Sequence, residues 1–354
     1  ETPGFPAGMA VSDKSGLDFS DSGKVIMFGI NEIPEKEDEE EENGEDEAKF
    51  DLWHWQDPYP QPQQKKMAER IKDNTYESVY HINRDKFVQL ADKDLPEVSL
   101  GRLGKTAYAN NNWPYARKVS WFGRFNDVWA IDTETGERTL VKEELFGYGR
   151  LSPEEKYLYW FEGSDWFVYD IEKGKTVNVT RGLDTGFDRQ DHDRPEPAGS
   201  YGIAGWTEGD KSVLIYDRYD IWEITPDRKK RRMITEGYGR GNDLSFRYVR
   251  LDRDEHTIDP SDMMLLRTMN EETMAAGFYR DRVKGDREPV KLVMAEKSFG
   301  YPRKADKADM LLLDRQSFVE YPDLWVSDTE FSDMEKITDL GVQMDPYIWG
   351  NAEL

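Results

Sequence analysis

Short runs in which apolar and polar residues roughly alternate recur along this chain, each opened by an aspartate. They read "FDLWHW" at 50–55, "NDVWAID" at 126–132, "SDWFVYD" at 164–170, "YDIWEIT" at 219–225 and "PDLWVSD" at 322–328. A period of two places one face of an extended segment inward and the other outward, so each run predicts a half-buried strand. The gaps that follow Asp51 and Asp220 are each wide enough for two units, with "ESVYHIN" at 77–83 and "MMLLRTM" at 263–269 as the hidden members. A second strand precedes several copies, as in "FSDSGKVIMFGI" (19–30), "LSPEEKYLYWF" (151–161) and "GWTEGDKSVLIYD" (205–217). A third follows, as in "TGERTLV" (135–141), "KGKTVNVT" (173–180) and "RRMIT" (231–235). Glycine and charged residues stand where tight turns would fall.

Each unit therefore reads as a small antiparallel meander, repeating roughly every 40–55 residues. Such a meander cannot bury its apolar face alone, and radial repetition lets short sheets protect their edges. The expected fold is an all-β β-propeller of antiparallel meander blades, about 6 to 8 of them, spanning 1–354. Helix is expected only in the 58–74 linker, as one short element within "QPQQKKMAERIKDN". The leading aspartates are expected to accept local backbone N–H groups at turns, and the nearby tryptophans to fill the space between adjacent sheets.

Composition refines this picture. A hydrophobic content of 37% with eleven tryptophans argues for a folded chain, because rings at this density need surfaces to pack on. The formal charge of −24 argues against nucleic acid, whose phosphates need a basic face. Part of that charge lies in "EKEDEEEENGEDE" (35–47), ten acidic residues against one lysine, so 34–49 is expected to be a disordered acidic loop. The absence of cysteine rules out disulfides, zinc-thiolate sites and thiol nucleophiles. No run approaches the roughly 20 apolar residues of a membrane span. The start "ETPGFPAGMA" and the finish "DPYIWGNAEL" both read as the ends of a piece cut from a longer chain.

The stretch "PAGSYG" (197–202) imitates a G-x-S-x-G nucleophile elbow. An elbow needs a buried apolar strand running into a sharp turn, whereas Ser200 follows "GFDRQDHDRPEPAG", too charged and proline-rich for one. Ser200 is therefore read as the start of a blade, and no catalytic residue is assigned. Of the four histidines, His54 and His81 fall in strand-like segments and His192 and His256 in charged loops. The clusters "DRQDHDRPE" (188–196) and "DRDEH" (252–256) lack the twelve-residue loop of a calcium site, so no metal and no cofactor is expected. The long loop from Gly186 to Gly199 is the best candidate for binding, since long loops on a rigid scaffold often carry it. Its Arg189, His192 and Arg194 are the candidate substrate-binding residues, with the arginines suited to a carboxylate. The alternative is a solvated insertion in which Arg189 and Arg194 pair with Asp188, Asp191 and Asp193.

The progression "SPEEKYLYWF", "DWFVYD", "GKTVNVT" resembles the propeller of the prolyl oligopeptidase family of serine peptidases, which includes the dipeptidyl aminopeptidases. The resemblance runs from about Gly16 to Leu354, and "MDPYIWGNAEL" looks like the junction before such a family's α/β-hydrolase domain, especially in Bacteroidetes-type members. It implies a non-catalytic domain that gates short peptides and positions them for a hydrolase domain beyond 354 in the full-length protein, in a periplasmic or secreted setting. The family's serine, aspartate and histidine lie in that hydrolase domain, so no triad residue is carried over. The alternatives are a free-standing propeller that binds a protein or a glycan, and a glycosidase with paired carboxylates near the axis.

Overall fold

The computed structural model describes residues 3–33, 51–348 and 350, so the acidic loop at 34–49 lies outside the described residues, as do Phe50, Trp349 and 351–354. The described residues form an all-β fold of six antiparallel sheets, each with four or five strands in a meander of the propeller-blade kind. The first sheet holds β1 (Met9–Val11), β2 (Leu17–Phe19), β3 (Val25–Glu32), β4 (Tyr76–His81) and β5 (Lys86–Gln89). The second holds β6 (Val98–Leu100), β7 (Thr106–Asn111), β8 (Phe125–Asp132) and β9 (Arg138–Phe146). The third holds β10 (Arg150–Leu151), β11 (Tyr157–Glu162), β12 (Asp165–Asp170) and β13 (Lys175–Asn178). The fourth holds β14 (Ile203–Trp206), β15 (Val213–Tyr216), β16 (Ile221–Ile224) and β17 (Arg231–Met233). The fifth runs through β18 (Leu244–Val249), β19 (Met264–Asn270), β20 (Ala276–Asp281) and β21 (Val290–Ala295). The sixth runs through β22 (Ser298–Phe299), β23 (Arg303–Lys304), β24 (Met310–Ser317), β25 (Glu320–Asp328) and β26 (Glu335–Lys336).

Contacts divide the chain into two compact units, Glu1–Glu162 with Phe167–Thr176, and Gly163–Trp166 with Val177–Leu354. In the first unit, Val79, Leu90, Ala107 and Ile131 pack the first sheet against the second, and Val128, Leu145, Leu158 and Trp160 pack the second against the third. In the second unit, Leu214, Ile221, Phe246 and Leu266 join the fourth sheet to the fifth, and Phe278, Phe299, Leu311 and Leu313 join the fifth to the sixth. The inner strand β15, with every residue buried, is the continuous apolar run "VLIY". The β11–β12 turn is Gly163–Ser164, both at positive φ (57° and 76°), the two-residue geometry that suits the twist of a hairpin.

The helix expected in the 58–74 linker is α1 (Gln61–Lys72), inserted between β3 and β4. No helix among the described residues is long and apolar enough to cross a membrane. One expected strand is absent: Asp51–Trp55 is irregular, with Leu52, Trp53 and Trp55 exposed. Its alternation has no neighbouring strand to pair with among the described residues, and alternation alone does not supply ladder partners.

The leading aspartates act at longer range than a local turn. Thr180, Thr235 and Thr338 donate their hydroxyls to Asp165, Asp220 and Asp323 at 2.6, 2.7 and 2.8 Å. Each threonine oxygen in turn accepts the backbone N–H of the residue after its aspartate: Trp166, Ile221 and Leu324, at 2.9, 3.2 and 2.9 Å. The aspartate thus ties the next-to-last strand of a sheet to the exit of the last, which satisfies polar groups that the sheet buries. A comparable contact links two sheets of the first unit. The buried Glu155, ahead of β11, accepts the N–H groups of Lys105 and Thr106 at 2.8 Å each, and that of Leu103.

Candidate functional site

In the second unit, a cavity of about 410 Å³ is lined by Arg189, Asp191, Ser200, Tyr201, Arg218 and Arg247 together with Ser245, Met269, Glu271 and Met274. Five segments supply these groups: the 186–201 loop, the β15–β16 turn, strand β18, the end of strand β19 and the β19–β20 turn. Alternation along β18 explains why Arg247 reaches it. Leu244 and Phe246 face the core, so Ser245 and Arg247 turn to the opposite side.

Ionic and aromatic contacts order the arginines. Arg189 pairs with Asp191 at 3.2 Å, which raises the arginine's affinity for its proton and lowers the aspartate's below the usual carboxylate range. Arg218 pairs with Glu271 at 2.5 Å, and this bond is the main cause of its raised pKa. Arg247 donates to the carbonyls of Phe246 and Arg218 at 2.7 and 3.1 Å, and among the described residues it has no ion pair. Its Cζ lies 4.8 Å from the centre of the Tyr216 ring and 5.5 Å from that of Tyr201, within cation–π range. Burial lowers the pKa of Arg247 and raises that of Tyr216 to about 12, so Tyr216 stays a neutral phenol. The Tyr201 hydroxyl accepts the N–H of Gln190 at 2.9 Å and thereby holds the loop against the sheet.

Ser200 forms a bridge with Asp188 directly before β14. It lines the cavity, but no histidine is among the lining residues, so no serine–histidine pair of the triad kind is formed there among the described residues. His192 is tied back to its own loop, with Nε2 2.9 Å from the carbonyl of Glu196. Arg194, three-quarters exposed, stands 3.9 Å from the Glu196 carboxylate. Of the three residues singled out from sequence, the structure brings only Arg189 to the cavity. His81 ends β4, buried, with Nε2 2.8 Å from the carbonyl of Thr133. His54 lies in the irregular 51–55 segment rather than in a strand. Among the described residues no cluster of histidine, aspartate and glutamate is placed to hold a metal ion.

Sequence reasoning does not single out Arg218, Arg247 or Glu271. The available signal is "LSFRYV", a strand whose outward-facing arginine sits between aromatic residues.

No protein-family model matches the chain, and no curated protein matches it. Among solved structures the chain is similar to a prolyl endopeptidase at 12% identity, over 95% of this chain and 43% of that one, with a TM-score of 0.42. It is similar to dipeptidyl peptidase 4 of Porphyromonas gingivalis at 10% identity, over 75% and 44% of the two chains, with a TM-score of 0.42. It is also similar to a eukaryotic initiation factor at 11% identity, over 95% and 67%, again with a TM-score of 0.42. The chain thus spans under half the length of either peptidase.

Proposed function

We propose that this chain is the non-catalytic, peptide-handling part of a serine peptidase, and that it holds and gates short peptides for a hydrolase domain elsewhere in the same polypeptide. One observation carries the reading: the cavity gathers binding groups, three arginines with a tyrosine and two methionines, around a serine with no histidine beside it among the described residues. Such a site is equipped to orient a peptide and lacks the serine–histidine pair of a triad. The blade-like segments of the sequence support the family half of the proposal, and the periplasmic or secreted setting belongs to it as well. The test is hydrolysis of a panel of short-peptide amides by this chain and by its full-length parent, with a serine-directed covalent inhibitor as control. Turnover by the parent alone, retained in Ser200→Ala, is expected. Turnover by this chain that Ser200→Ala abolishes would refute it.

A second reading, glycan binding, is favoured by one observation in the first unit. Trp53, Trp55, Trp121 and Phe122 are 64%, 74%, 84% and 68% exposed. Trp53 and Trp121 border a cavity of about 620 Å³ that also carries Gln61, Gln63 and Asn112. Exposed flat rings beside amides suit the apolar faces and hydroxyls of sugars. Quenching of tryptophan fluorescence by oligosaccharides, lost in Trp121→Ala, would support it, and no quenching would dismiss it.

A further inference from the structure

We infer that the cavity anchors its ligand through a carboxylate held by Arg247; this deepens the peptide-handling reading above and rests on it. Three guanidinium groups face two carboxylates in the cavity. Arg189 is matched by Asp191 and Arg218 by Glu271, which leaves Arg247 without a counter-ion among the described residues. The other acid behind it, Asp217, is fully buried and already engaged by Arg240 at 3.1 Å, by the Trp222 indole N–H at 3.1 Å and by the N–H groups of Tyr219 and Asp220.

A half-buried cation without a counter-ion is costly, and the two tyrosine rings offset only part of that cost. A guanidinium has five N–H donors, and Arg247 uses two of them on backbone carbonyls. The remaining donors suit the forked geometry of a carboxylate. Met269 and Met274, 38% and 50% exposed, form an apolar and adaptable lip for the side chain next to that carboxylate. The ligand chemistry is therefore a carboxylate with an apolar neighbour, supplied either by the free C-terminus of a peptide or by an aspartate or glutamate side chain.

Calorimetric titration of the full chain with four probes separates the possibilities: N-acetyl-alanyl-phenylalanine, its C-terminal amide, N-acetyl-glutamyl-phenylalanine amide, and 3-phenylpropionate. The free acid is expected to bind at least about tenfold more tightly than its amide, the worth of one hydrogen-bonded charge pair. That preference should disappear in Arg247→Met and be partly retained in Arg247→Lys, which keeps the charge without the fork. Tight binding of the glutamyl amide would also support the anchor and would name the side chain as a source. Equal binding of acid and amide would overturn the anchor and leave the peptide reading standing. Binding of 3-phenylpropionate with no peptide bound would support the anchor and overturn the peptide reading. No binding by any probe would overturn both. The comparison of acid with amide on the unaltered protein decides the matter even if Arg247→Met fails to fold.

Discussion

The contact between Glu155 and the β6–β7 turn offers a double-mutant cycle whose outcome follows from geometry. Replacing Glu155 with alanine strands the buried Thr106 N–H, which costs about 1–3 kcal/mol, and frees the half-buried Leu103 and Lys105 N–H groups, which water can partly serve, at about 0.5–1.5 kcal/mol each. The sum is about 2–6 kcal/mol, centred on about 4 kcal/mol. Gly101→Ala should cost a similar amount by another route, because a Cβ there would stand 2.3 Å from the Glu155 carboxyl carbon and one of its oxygens. The far end of a glutamate ordinarily swings aside at little cost, but this one is held by three N–H groups and must release them to move. Once Glu155 is truncated the added methyl has room, so the double variant should lose about 4 kcal/mol rather than about 8, a coupling of about 4 kcal/mol. Urea unfolding followed by tryptophan fluorescence, with an unchanged denaturant slope, measures each corner of the cycle. Additive costs, or a loss below about 1 kcal/mol for Glu155→Ala, would refute the reasoning.

Three further outcomes are expected. Burial raises Asp281 to about 7, so the folded chain holds this proton to higher pH than the unfolded chain and stability falls as pH rises from about 4 to about 7. Relative to wild type, Asp281→Asn should gain about 2–3 kcal/mol in stability between about pH 5 and about pH 8, and parallel pH profiles would refute this. Thr235→Val removes the hydroxyl that donates to Asp220 and accepts from the Ile221 N–H, both buried, and should cost about 1–3 kcal/mol in chemical denaturation; an unchanged midpoint would show that the Asp–Thr tie is idle. Gly277→Ala would place a Cβ 2.0 Å from the carbonyl oxygen of Val293 on the paired strand β21, and backbone cannot swing aside. A loss above about 3 kcal/mol, read as thermal unfolding by circular dichroism, is expected, and near-normal stability would contradict that close approach.

The all-β meander is readable from sequence because its causes are local. Alternation in "DWFVYD" and "YDIWEIT", and turn residues such as Gly163–Ser164, act over a few positions and produce strands wherever a neighbour completes the ladder. The same rule fails at Asp51–Trp55, where the pattern is present and, among the described residues, the partner strand is not. It also assigns the aspartates a local role, because the threonine that each of three of them binds lies fifteen residues away, across a hairpin.

What the sequence determined by itself was the fold class, the placement of most strands, and the position of Ser200 at the opening of a blade instead of the close of an elbow. Only the tertiary structure decided the cavity. Arg189, Arg218, Arg247 and Glu271 stand far apart along the chain, and they meet because packing of the fourth sheet against the fifth aligns a loop, two turns and a strand. Which arginine lacks a counter-ion depends on pairings across those elements, at distances no local pattern records.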